Sequence, residues 1–252
     1  KVDFVHADDV WSFLNLISRT DENSLYPFAN EQFRDIFRHT FWIVPGVKEA
    51  KALSKMLDDH PVFKHFKVAN VAGDGDAEEP YDDALKKVRE VIDNYPYSIT
   101  ISCGKLTTGV TVPEWSAVMM LSGSANTPAT GYMQTIFRVQ SPGSVNGKQK
   151  KLAYVFDFAP DRALKVLADV HSLSKKGKQG DGDSRSALCE FLNFCPVIAV
   201  SGTNMQQYNV AQMMRQLKKV TVDSAIKNGF EDESIYNDNV GLVMDDSDVE
   251  IF

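Results

Sequence analysis

The chain has 252 residues, 43% of them hydrophobic, and a formal net charge of −7. That is enough apolar material for a large core, and too acidic a balance for a protein that grips nucleic acid by bulk charge alone. Cys103, Cys189 and Cys195 are too scattered for a disulfide scaffold or a C-x-x-C metal site. No run of about 18 apolar residues is available to cross a membrane. The opening KVDFVHADDVW lacks the apolar centre of a secretory signal, so a cytoplasmic protein is expected. Because it starts on Lys1 and not Met, it reads as a piece of a longer protein.

Residues 1–39 carry Trp11, Leu14, Leu16 and Ile17, then Phe28, Phe33, Ile36 and Phe37, a spacing that predicts two short amphipathic helices around the polar TDENS turn. They either cover a face of the domain that begins near residue 40 or connect to an earlier domain. From residue 40 the pattern changes. TFWIVPG is a short apolar run closed by Pro45 and Gly46, as a buried strand would be. VKEAKALSKMLDDH then places Val47, Ala50, Leu53 and Met56/Leu57 at helical spacing.

A second strand, FKVANVAG, runs into the acidic loop GDGDAEEP. Asp74, Asp76, Glu78 and Glu79 lack the ligand spacing of a calcium loop, and a solvated loop is expected there. The helix DDALKKVREVIDNY, with Leu85, Val88 and Val91/Ile92 inward, leads to the strand YSITIS, and EWSAVMMLSG supplies a fourth. A helix around Gln134, a polar loop with an Asn146–Gly147 turn signal and a fifth strand, LAYVFDF, complete the pattern. Strands alternating with helices predict a three-layer α/β domain with a parallel sheet over residues 40–158. Beyond Phe158 no further strand is expected, and residues 159–252 read as a helical extension broken by the linker KKGKQGDGDS.

Three stretches give the domain a family likeness. LTTGVTVP (Leu106 to Pro113) and YMQTIFR (Tyr132 to Arg138) resemble motifs V and VI of superfamily 2 helicases, and FWIVPGVKEAKALSKML looks like motif IV. All belong to that family's second RecA-like domain and occur in the family's order. The wording is most similar to the helicase part of restriction-modification enzymes. The resemblance implies a P-loop NTPase-type, RecA-like sheet and an ATP-dependent DNA helicase or translocase. It also implies an interdomain ATP site to which Gly109, Thr111 and Arg138 contribute, with Gln134 and Arg138 as catalytic residues. Ser102, Cys103, Lys105, Thr107 and Thr108 would contact the DNA backbone.

The residue chemistry is compatible with those roles. Ser102, Cys103, Thr107 and Thr108 follow a buried strand at its carboxyl end, where open α/β sheets bind ligands. Gly104 and Gly109 let backbone amides approach a phosphate closely. The i, i+4 spacing aligns Gln134 with Arg138 on one helix face. An arginine at a γ-phosphate is worth about 10³–10⁵ in rate.

The sequence also departs from the family. The usual motif VI is Q-x-x-G-R-x-x-R, but Phe137 stands at the glycine and Ser141 at the second arginine; Thr111 replaces a common acidic residue. There is no G-x-x-x-x-G-K-[ST] loop and no D-E-x-[HD] motif. ATP and Mg2+ are therefore expected only in the full-length enzyme, on an N-terminal RecA-like domain outside this chain. Nuclease or methyltransferase domains would be further partners, alongside DNA, and the chain itself would hold no metal. The alternative is a non-catalytic, degenerate RecA-like module that docks protein or DNA. Trp42 and Trp115 are read as core, and the lysines at 148, 150 and 151 as solvated or touching DNA.

Overall fold

The chain divides into two compact units, Lys1–Ala159 and Pro160–Phe252. The computed structural model describes residues 3–20, 26–73, 81–122, 129–145, 147–159, 198–201 and 204–207. The acidic loop at 74–79, the segment 160–197 and the basic residues Arg215, Lys218 and Lys219 lie outside the described residues.

In the first unit, β1 (His39–Ile43) is HTFWI, buried at every position. It lies between β3 (Ser98–Ser102) and β4 (Ala117–Met120), which are equally buried. Strands covered on both faces need no polar alternation, which is why these segments read as continuous apolar runs. β2 (Lys67–Asn70) and β7 (Tyr154–Asp157) form the edges of a five-stranded, all-parallel sheet in the order β2-β3-β1-β4-β7. This is the three-layer, RecA-like α/β class expected from the sequence.

One face of the sheet is closed by the N-terminal helices. In α1 (Ala7–Ser18), Leu14 and Ile17 are fully buried; α2 (Glu31–Ile36) is capped by Asn30, whose side chain accepts from the Phe33 amide. Phe28, between the two, sits at the centre of a ring cluster with Phe37, Trp42, Phe63 and Phe66, centroids 5.0–6.1 Å away. α3 (Val47–Asp59) adds Ala50, Leu53 and Leu57 to the same core, along the stripe its sequence spacing predicts. His60, just past α3, joins this layer to α1. Its Nδ1 accepts from the amides of Val62 and Phe63, which leaves Nε2–H to donate to Asn15 Oδ1 at 3.2 Å.

α4 (Tyr81–Asn94) crosses from β2 to β3, burying Ala84, Val88 and Val91, while α5 (Ala129–Phe137) follows β4. Trp42 and Trp115 are both core, as expected. Trp42 donates to Thr40 Oγ1; Trp115 donates to Thr100 Oγ1 and stacks on Phe41 at 4.3 Å. The Asn146–Gly147 signal marks a small hairpin, β5 (Ser144–Val145) against β6 (Lys148–Gln149), with Gly147 at φ +72°.

Two expectations need correction. Strands do not stop at Phe158: β8 (Ile198–Ser201) pairs antiparallel with β9 (Asn204–Gln207) in the second unit. The β-branched Ile198 and Val200, with Gly202 two residues on, carried that signal. Arg138 is also not on the α5 helix proper; α5 ends at Phe137, and Arg138 opens a 3₁₀ turn, Arg138–Gln140.

Candidate functional site: the crossing segment after β3 and its cationic clamps

β3 and β4 run parallel, so the chain between them must travel from the carboxyl edge of the sheet back to its amino edge. Elsewhere a helix makes such a journey. Here residues 103–116 contain no helix or strand, so their carbonyls have no ladder of their own. Side chains supply the partners, and in doing so they shape the site.

At the carboxyl edge the segment folds into a tight turn. The Ser102 hydroxyl, fully buried, donates to the Lys105 carbonyl at 2.6 Å and accepts from the Gly104 amide at 3.1 Å. Thr107 Oγ1 donates to the Gly104 carbonyl at 2.7 Å. Gly104 and Gly109 have φ of +139° and +73°, which a glycine adopts without strain. Leu106 does so too, at φ +61°, although its side chain is 1% exposed. A non-glycine residue in this region costs about 1–3 kcal/mol, which burial of the leucine side chain helps to offset. Cys103 is half-buried, and burial pushes its thiol pKa up, so it is not set up as a thiolate. Lys105 and Thr107 are half-exposed, and Thr108 and Gly109 are exposed.

Beyond Gly109 the segment is held by three cations from three parts of the chain. Arg138 donates from Nη1 to the Val110 carbonyl at 2.6 Å and from Nε to the Gln134 carbonyl at 3.1 Å. Arg89, on α4, donates from Nη2 to the Thr111 carbonyl at 2.7 Å and pairs through Nη1 with Glu114 at 2.8 Å. Lys150, just after β6, donates to the carbonyls of Pro113 at 2.9 Å, Trp115 at 3.0 Å and Val139 at 2.8 Å. Burial lowers the Lys150 pKa, and the neighbouring Glu114 carboxylate acts against that shift. Gly143 completes the contact: a Cβ there would fall 2.4 Å from Pro113 Cβ.

The residues singled out in the sequence thus form two groups. Ser102, Cys103, Lys105 and Thr107 belong to the carboxyl-edge turn, with the Ser102 hydroxyl turned inward. Gly109, Thr111, Gln134 and Arg138 gather around the Val110 carbonyl, where Gln134 and Thr111 present exposed side chains. Phe137, at the family's glycine position, is 46% exposed beside them. Sequence reasoning did not single out Arg89, Glu114 or Gly143. It grouped Lys150 with Lys148 and Lys151 as solvated or touching DNA, whereas its ammonium is satisfied by main-chain carbonyls. In the run GKQKK nothing distinguishes that lysine from its neighbours.

Among the described residues no group of three or more His, Cys, Asp or Glu could hold a metal ion, and no helix is long and apolar enough to cross a membrane.

No family model matches the chain. It is 30% identical over 201 residues to a Mycoplasma pneumoniae protein named "Putative type II restriction enzyme and methyltransferase RM.MpnORF110P C-terminus". The match covers 77% of this chain but 27% of that protein's length.

Proposed function

We propose that the chain is the second RecA-like domain of an ATP-dependent DNA translocase or helicase that serves a restriction-modification enzyme. The fold class and the likeness to a protein named as a restriction enzyme and methyltransferase support the setting. The observation that carries the motor reading is the convergence of Arg138 on the segment after β3. Of the three cations on that segment, Arg138 is the one on the turn after α5, and it holds a loop whose other end reaches the carboxyl edge of the sheet.

On this reading ATP and Mg2+ are held mainly by a preceding RecA-like domain, and hydrolysis supplies the energy for moving along DNA. Arg138 contributes its guanidinium to the γ-phosphate side, where charge spreads over the transferring group. To do so it exchanges the Val110 carbonyl for phosphate oxygens, a trade of a neutral acceptor for a charged one. On the same reading Gln134, one turn earlier on α5, orients the attacking water, and the carboxyl-edge turn, with Lys105, Thr107 and Thr108, meets the DNA backbone, which is contacted without regard to base identity. Because one segment joins the two groups, a change at Arg138 is transmitted to the DNA-facing turn.

The test compares the longer protein with the isolated chain. DNA-stimulated ATP hydrolysis is expected in the longer protein, and none in purified 1–252. Turnover by the isolated chain, or none in the longer protein with DNA present, would refute the motor reading; the second result would favour the docking module.

A further inference from the structure

We propose that Lys150 is a positioning residue: by tying the end of the crossing segment to the 3₁₀ turn after α5, it sets where Arg138 stands. Its catalytic consequence rests on the motor reading above; its geometric content does not.

An ammonium has three N–H donors, and Lys150 has three carbonyl acceptors, at 2.8–3.0 Å. Two of them, Pro113 and Trp115, belong to the crossing segment. The third, Val139, follows Arg138 in the chain. Arg89 holds only the crossing segment and Arg138 holds its Val110 end, so Lys150 joins the segment to the Arg138 turn from the far side. The lysine is itself fixed. Its backbone amide donates to the Gly143 carbonyl at 2.8 Å, and Gly143 packs so closely on Pro113 that a side chain there would displace it.

Removing the charge while keeping the stem strips three carbonyls of their donor at once. The turn at Arg138–Gln140 is short, and 3₁₀ geometry is poorly held by its own hydrogen bonds, so loss of the Val139 anchor lets it shift. A displacement of about 1 Å at a positioned group can cost up to about a hundredfold in rate.

The experiment has two arms. In the purified 252-residue chain, Lys150→Met is compared with the unaltered protein by the NMR signals of arginine Nε–H groups. Arg34, whose Nε donates to the Phe28 carbonyl at 3.1 Å, serves as an internal reference. The Arg138 signal is expected to shift or broaden while the Arg34 signal stays. An unmoved Arg138 signal in folded Lys150→Met overturns the proposal, whatever the protein does with ATP. Should that variant not fold, Gly143→Ala pushes on Pro113 with Lys150 intact and is expected to move the same signal; no movement counts against the proposal. In the longer protein, Lys150→Met is expected to lower kcat for DNA-stimulated ATP hydrolysis about tenfold or more, with KM for ATP little changed. An unchanged kcat removes the catalytic consequence. Absence of ATPase in the unaltered protein refutes the motor reading alone, because the first arm reads Arg138 without turnover.

Discussion

Arg138 and Val110 stand 28 positions apart in the chain and meet at 2.6 Å, guanidinium to carbonyl. That bond closes a loop of structure from the end of α5 back to the segment that leaves β3. Its acceptor is neutral, and therefore replaceable by a phosphate oxygen at a gain in hydrogen-bond strength.

If side chains stand in for the missing helix between β3 and β4, removing one clamp should be felt as lost stability. Arg89→Leu gives up the donor to Thr111 and the Glu114 pair, which is only partly shielded from solvent. A loss of about 1 kcal/mol is expected in urea denaturation, since the bond to the Thr111 carbonyl is exposed to solvent. A midpoint equal to that of the unaltered chain would contradict the clamp.

Leu106 permits a test of backbone strain. Leu106→Ala and Leu106→Gly both remove the buried side chain, but only glycine relaxes the φ of +61°. The glycine variant should be the more stable of the two by about 1 kcal/mol, the reverse of their order in a helix. Equal midpoints, or alanine ahead, would show that the turn carries no strain at this residue.

Stability should fall in mild acid. His39 is buried, with Nδ1 2.8 Å from Ser98 Oγ; burial lowers its pKa to about 4, Arg38 adds to the shift and Glu114 opposes it. Burial also lowers the pKa of His60, whose Nδ1 must stay unprotonated to accept from Val62 and Phe63. Both folded-state values lie below the unfolded one near 6.5, so the unfolded chain binds more protons in between. The stabilisation is complete above about pH 6.5 and is lost as pH falls toward 4, by about 2 kcal/mol from His39 at pH 5. His39→Gln should flatten that part of the slope. A pH-independent midpoint between 7.5 and 5 would contradict the assignment.

The sheet was legible because its central strands are buried at every position: TFWIV and SITIS cannot hide their apolar runs, and Pro45–Gly46 marks where the chain turns. The stripe Ala50, Leu53, Leu57 was equally plain. What the sequence hid is tertiary. Lys150 looks like any loop lysine until three distant carbonyls converge on it, and Arg89 looks like a solvated helix residue until Thr111 is brought beneath it. Arg138 was singled out by the resemblance of YMQTIFR to a helicase motif, with its i, i+4 spacing from Gln134 in support, and neither gave a sign that the helix ends at Phe137 and a 3₁₀ turn opens at Arg138. The β8–β9 hairpin was missed for a different reason: residues 159–252 were read as a helical extension broken by the linker KKGKQGDGDS.

The most direct measurement is DNA-stimulated ATPase activity of the longer protein carrying Arg138→Ala, beside Arg138→Lys. If Arg138 serves the γ-phosphate, the alanine variant should lose about 10³-fold or more in kcat, with folding intact. Lysine should recover little, since a point charge on a flexible stem does not reproduce the planar fork. An alanine variant that hydrolyses ATP at the unaltered rate would contradict the assignment of this site.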